Sequence, residues 1–68
     1  MNTQYIYDNK QSRIGQITEN GNVINAYGAK GQYLGQYWKN SKTTYDSKGG
    51  RFANGDATIA LIFAAAGR

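Results

Sequence analysis

Three segments of the chain fall on one register. Tyr7-Asp-Asn-Lys-Gln-Ser-Arg-Ile-Gly15 aligns with Tyr27-Gly-Ala-Lys-Gly-Gln-Tyr-Leu-Gly35 and with Tyr45-Asp-Ser-Lys-Gly-Gly-Arg-Phe-Ala53. The lead tyrosines stand 20 and then 18 residues apart, and the consensus reads Tyr-x-x-Lys-Gly-x-(Arg/Tyr)-apolar-Gly. Repeats of about 20 residues imply supersecondary units that cannot bury their apolar faces alone and must stack on one another. This constrains the fold more than any composition figure.

Each unit reads as two strands. Turn signals recur at 8–10, 20–21, 29–31, 40–41, 48–50 and 54–55, roughly every ten residues, which is the spacing of an all-β meander or barrel. Asn20-Gly21 and Asn54-Gly55 carry the strongest short hairpin signal, since a type I′ turn needs two residues of positive φ. Strands are expected near 3–7, 12–19, 23–28, 32–38, 43–46 and 50–53. The hairpin repeats then cover about 5–19, 25–39 and 43–55 of a single domain, 1–68.

Strict alternation places Ile14 and Gln16 on one face, with Gly15 and Ile17 on the other. By the same count Leu34, Gln36 and Trp38 share a face opposite Tyr33, Gly35 and Tyr37. Ile14, Leu34 and Phe52 hold one repeat position and are expected to form an inner core layer. The second face is partly apolar as well, so a sheet of this kind needs cover on both sides.

The natural cover is the apolar tail. Asp56 suits an N-cap, the alanines favour helix, and Gly67 sits where a glycine beyond the C-cap belongs. A short helix over 57–66 is expected, with a buried strand through 58–63 as the competing assignment. Leu61, Ile62 and Phe63 in succession make such a helix apolar nearly all round. The expected fold is therefore mainly β: repeated hairpins, meander or barrel-like, closed by a short apolar C-terminal helix.

Sixty-eight residues leave little room for a core, since a chain this small buries only about 60% of its unfolded surface. Small scaffolds usually add a disulfide, a metal or a partner subunit. With no Cys and no His, the disulfide and the usual zinc ligands are gone. A homo-oligomer is the expected remedy, with Leu61, Ile62 and Phe63 as its interface. No cofactor is expected. An N-terminus without a charged segment and an apolar run gives no signal peptide, so a cytoplasmic location is the default. The apolar tail is too short to span a bilayer.

The hairpin pattern of Tyr7–Ile17, Tyr27–Tyr37 and Tyr45–Gly55 resembles the small bacterial four-fold β-flower domain family, over about residues 5–55. That resemblance implies an architecture of repeated hairpins and no assigned activity. A second resemblance is to choline-binding cell-wall repeats, which are also Tyr- and Gly-bearing hairpins of about 20 residues. It implies binding to cell wall or glycan, although here Trp38 is the only Trp and the lead aromatics are single.

Eight Lys and Arg against four Asp and Glu give a net charge of +4, a mild preference for anionic partners. Lys10, Lys30 and Lys48 occupy one place in three turns, and Arg13, Tyr33 and Arg51 lie three residues on. Arranged on one rim, Lys10, Lys30, Lys48, Arg13 and Arg51 would bind nucleic acid or another polyanion; as ordinary turn residues they would bind nothing. Tyr33, Tyr37 and Trp38, beside Lys39 and Lys42, would stack bases or simply pack the sheet. Without His or Cys, and with four scattered carboxylates, an enzyme is not expected. The sequence points to a homo-oligomeric binding or assembly module of unknown ligand. Polyanion binding is the alternative, and cell-wall or glycan binding a second.

Overall fold

The computed structural model describes residues 2–67. Six antiparallel strands follow the chain in order, each hydrogen-bonded to the next: β1 (Asn2–Tyr7), β2 (Arg13–Asn20), β3 (Val23–Gly28), β4 (Tyr33–Trp38), β5 (Thr43–Asp46) and β6 (Arg51–Asn54). The sheet is an open meander rather than a barrel, with β1 and β6 at its edges. One helix, α1 (Thr58–Ala65), follows and lies across β2, β3 and β4. The apolar tail is thus a helix and not a buried seventh strand through 58–63.

The repeat is visible in the pairing. Each of the three repeat hairpins breaks register at the same place: Ile6 pairs Gly15 but Tyr7 pairs Arg13; Ala26 pairs Gly35 but Tyr27 pairs Tyr33; Thr44 pairs Ala53 but Tyr45 pairs Arg51. Ile14, Leu34 and Phe52 are therefore the extra residues of three equivalent β-bulges. A bulge leaves one residue out of the ladder and resets which face its neighbours occupy.

That correction alters the face assignment. Ile14 joins the core together with Ile6, Ala26, Leu61 and Ile62, on the side to which Gly15 also turns. Leu34 packs against the same cluster. Tyr33 pairs Tyr27 on the opposite face, so it is separated from Gly35 and Tyr37, with which strict alternation had grouped it. Phe52 is not an inner core residue. It holds the same bulge position in β6, beyond the reach of α1, and is 45% exposed.

Two repeat glycines determine how closely α1 sits. A Cβ on Gly15 would lie 2.5 Å from the Tyr27 carbonyl oxygen and 2.7 Å from Ile62 Cγ2. One on Gly35, at φ 152°, would collide with the Tyr45 carbonyl oxygen and lie 2.8 Å from Leu61 Cδ1, so the sheet backbone and the helix together exclude a side chain there. The third copy carries Ala53 at this position, and the helix does not lie over it. Fully buried Thr44 ties the helix start to β5: its hydroxyl donates to Gly55 O at 2.6 Å and accepts from Ala57 N–H at 2.9 Å.

The helix ends differ in part from expectation. Ala57, not Asp56, is the N-cap residue, and no side chain caps it. Asp56 instead accepts from the Thr58 N–H at 3.0 Å and the Thr58 hydroxyl at 2.7 Å. Gly67, at φ 75°, follows C-cap Ala66 and donates to Ala64 O. The β2–β3 connection is Gly21-Asn22, since Asn20 still pairs with Val23. Only Gly21 of the two has positive φ, as a type II′ hairpin requires rather than type I′.

Gly15→Ala and Gly35→Ala should each lower stability by about 1–3 kcal/mol through overpacking against the Tyr27 or Tyr45 carbonyl and the helix side chain above it. The measurement is a urea midpoint. An unchanged midpoint in both variants would mean that neither the neighbouring strand nor the helix closes on these glycines.

Candidate functional site

With α1 on one side, the other face of the sheet is left uncovered. Following the pairs across it, Tyr5, Gln16, Tyr27 and Tyr33 form one row. Thr18, Asn25, Gln36, Tyr45 and Arg51 form the next, and Val23, Trp38 and Thr43 a third. Tyr7 pairs Arg13 at the margin. The lead tyrosine of every repeat thus points away from the helix, facing an Arg or Tyr six residues on.

This face is aromatic and amide-rich, and part of it is ordered by its own contacts. The Tyr27 and Tyr33 rings stand 6.0 Å apart and tilted by 60°, within the range of favourable aromatic pairs. The Arg13 guanidinium lies 5.0 Å from the centre of the Tyr5 ring, a cation–π distance. Gln36 Nε2 donates to Asn25 Oδ1 at 3.1 Å across β3 and β4. Burial, then the neighbouring Tyr27 and Asp46, raise the Tyr33 phenol above its ordinary value, so it stays protonated near neutral pH. Trp38, 40% exposed, borders a trough of about 440 Å³ lined by Gln36, Trp38, Asn40, Ser41, Tyr45 and Gly49.

The three repeat turns lie at one end of the sheet, because they join β1 to β2, β3 to β4 and β5 to β6. Lys10, Lys30 and Lys48 are exposed there in equivalent positions, and Arg13 and Arg51 are exposed on the adjoining strands. Their backbone is held in a common way. Asp8 Oδ1 accepts from Lys10 N at 2.9 Å and Ser12 N at 3.0 Å; Asp46 Oδ1 accepts from Lys48 N and Gly50 N, both at 2.9 Å. The residue after each lysine has positive φ: Gln11 at 64°, Gly31 at 84° and Gly49 at 86°.

The middle turn reaches the same arrangement by exchange. Gly28 replaces the Asp, and Gln32 Oε1 accepts the Lys30 N–H at 3.1 Å instead. A Cβ on Gly28 would collide with that Gln32 amide. The two substitutions compensate, which the aligned sequence displays only once the turn geometry is known.

The remaining candidates are dispersed. Tyr37 pairs Thr44 on the helix side and is half-buried, so it is not part of one surface with Tyr33 and Trp38. Lys39 makes an ion pair with Glu19, and Lys39 and Lys42 belong to the opposite end of the sheet from Lys10, Lys30 and Lys48. Leu61 and Ile62 are buried against the chain's own sheet, and Phe63 is half-buried at the edge of that cluster. Exposed on the helix instead are Ile59, at 47%, Ala60 and Ala64. Among the described residues no three His, Cys, Asp or Glu side chains gather as a metal site. No described helix is long and apolar enough to cross a membrane.

Alternation already places Gln36 on the face of Trp38, but it does not bring Asn40 or Tyr45 beside it. Tyr45 carries a signal, its repeat position, whereas Asn40 carries none. Compared with protein-family models, curated proteins and solved structures, the chain matches none.

The Gly28–Gln32 exchange has a measurable signature. Gly28→Asp alone and Gln32→Gly alone should each destabilise by about 1–2 kcal/mol, through a clash and an unmatched N–H respectively. The double variant, which recreates the third turn's Asp46 and Gly50, should recover most of that loss in a thermodynamic cycle. Additive losses would show the two positions to be independent.

Proposed function

We propose that the chain is a self-associating, non-enzymatic binding module, with the outer side of α1 for assembly and the uncovered sheet face for a ligand. The observation that carries assembly is the composition of the helix. In a helix lying on a sheet, the outward stripe is ordinarily polar. Here Ile59, Ala60, Phe63 and Ala64 are apolar, and Ile59, Ala60 and Ala64 are exposed. Among the described residues the cluster beneath has Ile6, Ile14, Ala26, Leu61 and Ile62 as its buried members, a small core for a free-standing domain. Packing two such helices against each other would bury both outer stripes.

A second reading, polyanion binding, is supported by the row of Lys10, Lys30 and Lys48 at one end of the sheet. Asp8 and Asp46 direct a carboxylate oxygen to turn N–H groups there. Against it, Arg13 already faces Tyr5, and both Arg13 and Lys30 border a hollow with the helix end residues Ala65 and Ala66, where unsatisfied carbonyls favour cations.

Light scattering at low and high salt tests both readings on one sample. Self-association predicts an oligomer that salt does not dissolve, and a folded monomer for Ile59→Glu, whose side chain lies outside the core. A wild-type monomer at working concentration would contradict it. The polyanion reading predicts co-purifying nucleic acid that salt strips off and that Lys10→Ala, Lys30→Ala and Lys48→Ala together remove.

A further inference from the structure

We propose that the trough beside Trp38 is a binding site for a neutral oligosaccharide. This rests on the uncovered face being the ligand side and is independent of self-association.

The lining carries the argument. Trp38 and Tyr45 supply apolar surface with a polar tip, and Gln36, Asn40 and Ser41 supply two amides and a hydroxyl. A pyranose ring has the complementary chemistry: a C–H face that packs on aromatic carbon, and a girdle of hydroxyls that each donate and accept. Asn and Gln amides offer both a donor and an acceptor from one group, and the Ser hydroxyl does likewise. Among the described residues no Lys, Arg, Asp or Glu lines the trough, so a phosphate or carboxylate would find no counter-charge in that lining. A volume of about 440 Å³ is within the usual range of small-molecule sites. The trough follows β5, whose four residues extend about 13 Å, longer than one sugar ring requires.

The walls are fixed before any ligand arrives, which lowers the ordering cost of binding. Gln36 is oriented by its bond to Asn25, which uses one of its amide hydrogens and leaves its carbonyl oxygen for a ligand. Buried Thr43 donates its hydroxyl to Ser41 O at 2.9 Å, holding the β4–β5 turn that bears Asn40 and Ser41. Lys39 N donates to Asn22 O at 2.8 Å and anchors the start of the same turn. Trp38 stays partly open to solvent at the centre.

Because Trp38 is the only Trp in the chain, its fluorescence reports on events at or near this trough, and the variants below fix where the ligand sits. The experiment titrates the full chain with chitohexaose, cellohexaose, maltohexaose and oligo(dT), each at low and high salt. The expected result is a saturable shift with at least one saccharide and a midpoint insensitive to salt. Asn40→Ala, an exposed substitution that leaves the sheet intact, should weaken that binding roughly tenfold, equivalent to about 1.4 kcal/mol. A saturable response confined to oligo(dT) and abolished by salt would overturn the saccharide assignment while keeping the uncovered face as the binding side. Silence with every probe would overturn both. A saccharide response that survives unchanged in both Asn40→Ala and Gln36→Ala would show that binding occurs elsewhere.

Discussion

The arrangement depends on the close approach of one short helix to two glycines. Ile62 rests where Gly15 has no side chain, and Leu61 where Gly35 has none. A side chain at either position would meet both a neighbouring-strand carbonyl and the helix, and would disturb the packing of α1 on Ile6, Ile14 and Ala26. Eight helical residues lie chiefly over β2, β3 and β4, and reach β5 only at the helix start, where Thr44 holds Ala57 N–H. The exposure of Phe52 and the presence of Ala53 in place of a third glycine both follow from that limited reach. The third repeat has no helix above it to accommodate.

The bulges explain how a regular repeat produces two unlike faces. Without them, Ile14 and Leu34 would alternate away from the glycines that follow them and point to solvent. The inserted residue brings the apolar side chain toward the helix side in the first two copies and restores the lead tyrosine and its partner to the open face. A strand therefore gives up one ladder position to the bulge and gains an apolar contact with α1. The turn next to each bulge is stiffened by a carboxylate or amide oxygen that accepts the lysine N–H. The lysine backbone thus serves the fold, whatever its side chain binds. The outcome is a sheet with one side covered by the helix and a broad aromatic side left open.

Much of this was legible in the residues. The three-copy register located every strand to within about one residue, because turn residues and alternation change together in a meander. The helix was legible from Ala and Gly67. The faces were not, since a bulge is a pairing event between strands, and nothing in Arg13-Ile14-Gly15 alone says that Tyr7 will skip a residue. Asn20-Gly21 misled for a related reason: the glycine, not the asparagine, opens the two-residue loop. The candidate site was legible only in part. Trp38 and Tyr33 stood out as aromatics, but Tyr37 was grouped with them by sequence proximity and lies on the helix side. Alternation alone groups Gln36 with Trp38, whereas Asn40 is unremarkable until turn geometry brings it beside Trp38. Leu61 and Ile62 were legible as buried, though as contacts to the chain's own sheet; Ile59 is the exposed aliphatic one.

The central claim is that α1 covers one face through Gly15 and Gly35 and leaves the tyrosine face open. Nuclear Overhauser contacts in the protein in solution test it most directly. The account predicts contacts from the Ile62 methyls to the Gly15 α-protons and from the Leu61 methyls to the Gly35 α-protons, with none from α1 to the Trp38 or Tyr45 rings. Contacts from the helix to those rings, or no contacts to either glycine, would contradict it.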